Sequence, residues 1–127
     1  MVKAMETAIK AARQAQEATY DGLCTIIEHR SVTDEKTKLS NKREIVVLEN
    51  QPCKLSFEKL AAASQTETAA TISQGVKLFL APEIRVPAGS KIVVTQNGVT
   101  GEYSASGVPA IYNTHQEIAL ELFRRWS

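Results

Sequence analysis

Near the end of the 127-residue chain, the stretch YNTHQEIALELF (112–123) places His115, Glu117 and Glu121 beside a run of aliphatic side chains. An imidazole and two carboxylates at short spacing are the groups of a small metal site or of general acid–base chemistry. Two cysteines, Cys24 and Cys53, and a second histidine, His29, add the parts of a thiolate–imidazole nucleophile. The surrounding sequence does not complete either arrangement. His-Glu-x-x-His is absent, and with only His29 and His115 in the chain a three-histidine zinc site is excluded. Neither a Gly-x-Ser-x-Gly elbow nor a phosphate-binding glycine pattern is present. A Cys–His pair lacks a third group to orient it, so buried thiols and surface imidazoles are the expected roles. No catalytic residue, cofactor or metal is expected.

Periodicity decides how His115, Glu117 and Glu121 sit. Even positions from 116 onward read Gln116, Ile118, Leu120, Leu122, Arg124 and Trp126, and odd positions read Glu117, Ala119, Glu121 and Phe123. A two-residue period predicts a half-buried strand. His115, Glu117 and Glu121 then share the outer face, the farther pair roughly 20 Å apart by the rise per residue, too far to gather around one ion. A helix over the same stretch stays open, because Glu, Ala and Leu are good helix formers.

The elements that position these residues follow from the same reading. Residues 2–18, VKAMETAIKAARQAQEA, predict a helix with a thin apolar stripe of Val2, Met5, Ile9 and Ala12, suited to the domain edge or a neighbouring subunit. Asp21 and Gly22 end it. From Leu23 onward, strand-like segments recur: 23–32, 43–50, 53–58 after Pro52, 72–81, and 84–96 turning through Pro87, Ala88 and Gly89. The polar run 33–42 is a long hairpin connection. Asn97-Gly98 predicts a two-residue type I′ turn that pairs Gln96 with Val99 and Ile92 with Tyr103, setting Ile92, Val94 and Tyr103 on one face. The expected fold is mainly β, a small barrel or sandwich of six to eight strands with an N-terminal α-helix. It divides into a helical arm (1–20) and a β domain (21–127). Residues 58–75 are small and polar, and loops of that length tend to be functional or disordered.

Composition narrows the function classes. Hydrophobic residues make up 43% and charged residues 23%, with a formal charge of +1. Near-neutrality argues against a dedicated nucleic-acid binder and a polybasic membrane anchor. No apolar run approaches the roughly 18 residues a span needs. Lys3, Glu6, Lys10 and Arg13 stand where a signal peptide would be apolar, so an intracellular start with reduced thiols is expected. Aromatic residues are scattered, which weakens an oligonucleotide-binding reading. Arg124-Arg125-Trp126 reads as a solvated strand end with one aromatic anchor.

Four stretches, NQPCKLSFEKL (50–60), VKLFLAPEIRVPAGSKIVVTQNG (76–98), YSASGVPAIYNTHQEIALELF (103–123) and the closing RRW, together resemble the small minor capsid proteins of long-tailed bacteriophages and defective prophages of Gram-positive bacteria. The group is that of head-closure, or stopper, proteins, and the likeness runs from about Leu23 to Trp126. The resemblance implies a non-enzymatic virion protein of the neck, the head–tail connector, assembled in the host cytoplasm. It implies an oligomeric ring of six or twelve copies beneath the portal and adaptor, closing the DNA channel and offering the tail its attachment site. Tail-terminator and tail proteins would lie below, and packaged double-stranded DNA would pass through without sequence-specific binding or any membrane. An adaptor or tail-terminator subunit of the same neck, and a small Cys/His hydrolase, are the alternatives. Within that resemblance the 58–75 segment becomes a candidate channel-gating or docking loop, with Glu58, Lys59, Ser64, Gln65, Thr66, Glu67, Thr68 and Gly75 as its polar and hinge positions. The N-terminal helix is not among the stretches that carry the resemblance and reads as an arm that grips a neighbour.

Overall fold

Asn97 and Gly98 adopt φ of 54° and 76°, the left-handed pair that a type I′ turn requires. The hairpin they close joins β4 (Lys91–Gln96) to β5 (Val99–Ile111), with Gln96 opposite Val99 and Ile92 opposite Tyr103 as expected. The computed structural model describes residues 2–60 and 73–126, without the side chains of 2, 58–60 and 73–74. Helix α1 (Val2–Glu17) precedes β1 (Gly22–Thr33), β2 (Ser40–Leu60) and β3 (Ser73–Leu80), and β6 (Gln116–Leu122) follows β5. The six strands close a barrel in the order β1-β2-β3-β6-β5-β4, every neighbouring pair antiparallel.

Alternation builds the core. Cys24 and Ile26, Cys53 and Leu55, Leu78 and Leu80, Ile92 and Val94, Tyr103 and Ala105, and Ile118 and Leu120 point inward from the six strands and are buried. Each fully buried aliphatic side chain contributes about 1.5–3 kcal/mol. At one end residues 81–90 fold over the barrel, and Val86, 4% exposed, joins the core. The strand expected from Ile84 does not form before Lys91. Pro82 and Pro87 cannot donate to a ladder, and Gly89 turns with φ of 87°.

Two strands expected on either side of Pro52 are one continuous strand, β2. Pro52 is tolerated because β2 has a single neighbour there: it faces Leu23 of β1, and pairing with β3 begins only at Lys54. Asn50 at φ 51° and register shifts opposite it mark the bend. The loop expected over 33–42 shrinks to a turn between Thr33 and Ser40, which pair. Asp34 N–H donates to the Leu39 carbonyl (2.9 Å), and the Asp34 carboxylate accepts from Lys36 N–H (2.8 Å).

Pairing leaves two hairpin arms outside the barrel wall. Beyond Ile27, which faces Lys91, β1 bonds only to β2, so Glu28–Thr33 and Ser40–Ile45 form a two-stranded ribbon. Likewise β3 meets β6 only from Val76 onward, so Glu58–Leu60 and Ser73–Gly75 form a second, shorter arm. Successive antiparallel hairpins turn at opposite ends of a barrel, so the arms leave opposite ends. The helix rests on a different face from the expected stripe. Met5 is 68% exposed and Ala12 is exposed, whereas Ile9, Arg13, Gln16 and Tyr20 are half-buried. Arg13 pairs with Glu83 of the 81–90 segment and with Glu17 (2.9 Å), which selects that face.

Candidate functional site

His115 sits in the β5–β6 turn, where Tyr112 N–H donates to its carbonyl (2.8 Å). Its Nε2 lies 2.9 Å from Glu117 Oε2 and its Nδ1 2.9 Å from Thr114 Oγ1. Tyr112 stacks on the imidazole at 5.0 Å, Phe79 tilts against it at 5.6 Å, and Lys77 Nζ stands 3.7 Å from Glu117. The ring is thus held on every side by its own turn and by β3. Glu121 is elsewhere, exposed beside Arg124 and Arg125. Among the described residues no three His, Cys, Asp or Glu side chains gather as a metal would need. This polar cluster pins a turn.

Cys24 and Cys53 are fully buried, free thiols inside the barrel. Pairing of Gly22 with Cys53 and of Cys24 with Gln51 makes them diagonal neighbours on the inner face. A hydrogen bond with Cys24, and then burial, push the Cys53 thiol up. His29 lies apart from them, stacked on Trp126 with ring centroids 4.7 Å apart. The thiols are inside as the sequence predicts, whereas both imidazoles are half-buried and packed against aromatic rings instead of lying free on the surface.

A second polar constellation escapes sequence reading. Lys91 Nζ bridges Glu102 (3.0 Å) and Glu44 (3.1 Å) and lies 4.7 Å over the Phe123 ring. Trp126 Nε1–H donates to Glu44 (3.0 Å), and Phe123 meets Trp126 edge-on at 5.1 Å. Glu102 and then Glu44 raise the Lys91 pKa, while the Trp126 N–H and then Lys91 hold the Glu44 carboxyl below its usual range. These contacts clamp the chain after β6 to the base of the β1–β2 ribbon. Trp126 alone signals it in the sequence, as the aromatic anchor. Residues 44, 91 and 102 are joined only by the register of four strands, β2, β1, β4 and β5.

Of the candidate loop positions, Glu58 faces Gly75 and Lys59 faces Gln74 across the second arm, so both ends of the 58–75 segment are strand and not loop. The alternation of Cys53, Leu55 and Phe57 carries β2 on past the point where its composition turns polar. Ser64, Gln65, Thr66, Glu67 and Thr68 lie outside the described residues. Both arms carry strand edges without a neighbour among the described residues. Along Ser40–Cys53 β2 pairs only with β1, and Leu39, Val46 and Val47 are exposed on or beside that strand. Unpaired backbone of this kind is a template for another strand.

No protein-family model matches the chain, and no curated protein matches it. Among solved structures, the chain is similar to the phage-like element PBSX protein xkdH from Bacillus subtilis. The TM-score is 0.46 at 9% identity, over 79% of this chain and 91% of that one. Among the described residues no helix is long and apolar enough to cross a membrane.

Proposed function

We propose that this protein is a structural subunit of the neck of a long-tailed bacteriophage or defective prophage, forming a head-closure ring between the portal–adaptor assembly and the tail. The observation that carries the reading is the pair of hairpin arms leaving opposite ends of a closed barrel. A ring is built from heterologous contacts, in which one surface of each copy meets a different surface of the next. Arms with unpaired edges supply such surfaces, and a closed barrel gives them a rigid base. The resemblance of residues 50–60, 76–98 and 103–126 to head-closure proteins supports the same assignment. A formal charge of +1 suits a channel through which DNA must slide without being held by its phosphates.

Electron microscopy of the protein mixed with portal and adaptor rings tests the proposal. One added ring layer below the adaptor is expected. A layer that forms only on the tail tube would reassign the protein as a tail terminator, and no association with either would refute a neck role.

A further inference from the structure

The two ends of the barrel are finished differently. Residues 81–90 cover one, with Val86 in the core. At the other, the inward-facing rows continue past the last buried layer and stay open. Phe57 follows Cys53 and Leu55, Leu122 follows Ile118 and Leu120, and Val99 precedes Gly101 and Tyr103. Yet Phe57, Leu122 and Val99 are 52%, 69% and 70% exposed. A groove of about 850 Å³ opens there, with Phe57, Val76, Leu120 and Leu122 in its floor and Arg124 and Arg125 at its rim. It shares Phe57 and Tyr103 with a hollow of about 290 Å³ that reaches Leu55 and Val94.

The groove lies where two strands part. β3 and β6 pair from Leu80–Gln116 to Val76–Leu120 and no farther. Below that point Ser73–Gly75 bond only to β2, and Glu121 and Leu122 only to β5. Unpaired strand edges therefore face each other across an apolar floor. A segment entering in extended form meets backbone partners at its edges and places alternate side chains on that floor.

Charge selects among the segments that could enter. Among the described residues Arg124 and Arg125 are exposed and make no ion pair, and Glu121 is the one acidic side chain lining the groove. Two guanidiniums at an apolar rim favour carboxylates, which they can bind bidentately. The β1–β2 ribbon and the helix of a second copy are poorly matched. Residues 34–44 of the ribbon carry four Lys or Arg against three Asp or Glu, and residues 2–17 of α1 carry three against two. We propose that the open end of the barrel is a docking groove for an extended segment of a different protein in which aliphatic residues alternate with acidic ones. The aliphatic side chains fill the space over Phe57 and Leu122, and the carboxylates meet Arg124 and Arg125. The assignment stands independently of the neck reading.

Fluorescence anisotropy of the full chain with a labelled peptide alternating Val and Glu tests it, against the same peptide with Lys for Glu and with Ser for Val. Saturable binding of the Val/Glu peptide is expected, weakening with salt and by about tenfold or more in either control peptide. The double variant R124E/R125E should weaken it similarly, and Leu122→Glu should abolish it, with thermal unfolding showing that both exposed-site variants remain folded. Equal binding of the Glu and Lys peptides, or no saturable binding below millimolar concentration, would overturn the proposal. Labelled duplex DNA bound more tightly than the peptide and released in R124E/R125E would assign the groove to nucleic acid instead. Self-association abolished by Leu122→Glu would assign it to a second copy.

Discussion

Gln116 is the place to test how the covered end of the barrel is held. Its side chain is 1% exposed and points inward from the first position of β6, where its amide donates to the carbonyls of Ala81 (2.8 Å) and Ile84 (2.5 Å). Gly89 N–H donates to the Ala105 carbonyl and Ala105 N–H to the Ser90 carbonyl (both 2.9 Å), which ties the far end of the cover to β5, so the two Gln116 bonds fasten its near end at Ala81 and Ile84. Replacing Gln116 with Leu keeps nearly the same volume and removes both donors. At about 1 kcal/mol net for each bond, the expected loss is about 2 kcal/mol. For a chain of 127 residues the unfolding entropy near the midpoint is about 0.27 kcal/mol/K, so the melting temperature should fall by about 7 °C. Gln116→Ala should fall further, by another ~1–3 kcal/mol, because it also leaves a cavity against Leu80 and Ile118. Calorimetry or a urea titration followed by circular dichroism measures both. If Gln116→Leu melts within about 1 °C of the parent, the carbonyls find other partners and the two bonds do not fasten the segment.

Three further outcomes are expected. Gly98→Val meets no side chain within 4 Å but must hold a β-branched residue at φ 76°, so it should cost about 1–2 kcal/mol in a urea titration without changing the fold. Deleting residues 1–18 should leave a folded barrel with a β-type circular dichroism spectrum, because the Arg13–Glu83 contact is an exposed ion pair worth at most about 1 kcal/mol. Because the Glu44 carboxyl is held below its ordinary value, its contribution is complete above its unfolded pKa of about 4.3 and disappears as pH falls through the lower folded value, so Glu44→Gln should flatten the urea midpoint against pH on that acid limb. The raised Lys91 pKa has the opposite sense: its contribution is complete below about pH 10.4 and is lost above it.

What the sequence discloses here is what short-range rules control. The Asn97-Gly98 turn fixes its hairpin register because two residues set the backbone geometry, and the period of residues 116–120 names the buried side of β6. Those rules stop where burial depends on partners far along the chain. Leu122 keeps the inward phase of Ile118 and Leu120, yet it is 69% exposed, with none of the described residues closing over it at the open end. The stripe of α1 is misplaced because the Arg13–Glu83 pair, 70 residues apart, turns the helix onto another face. Pro52 reads as a strand end only if β2 has neighbours on both sides, and it has one. His115 and Glu117 are recognisable as outer-face neighbours, whereas the Glu44–Lys91–Glu102 bridge needs the closed barrel to exist at all.

The two thiols inside the barrel have a practical consequence. Neither Cys24 nor Cys53 presents any surface, and the wall around them is closed, so a thiol reagent such as an aromatic disulfide reaches them only when strands separate. When reclosing is fast, the labelling rate equals the reagent's intrinsic rate scaled by the fraction of molecules open, and its logarithm reads the opening free energy directly. Because the two sulfurs lie side by side on neighbouring strands, β1 and β2, both report the opening of the barrel at that one place, under native conditions.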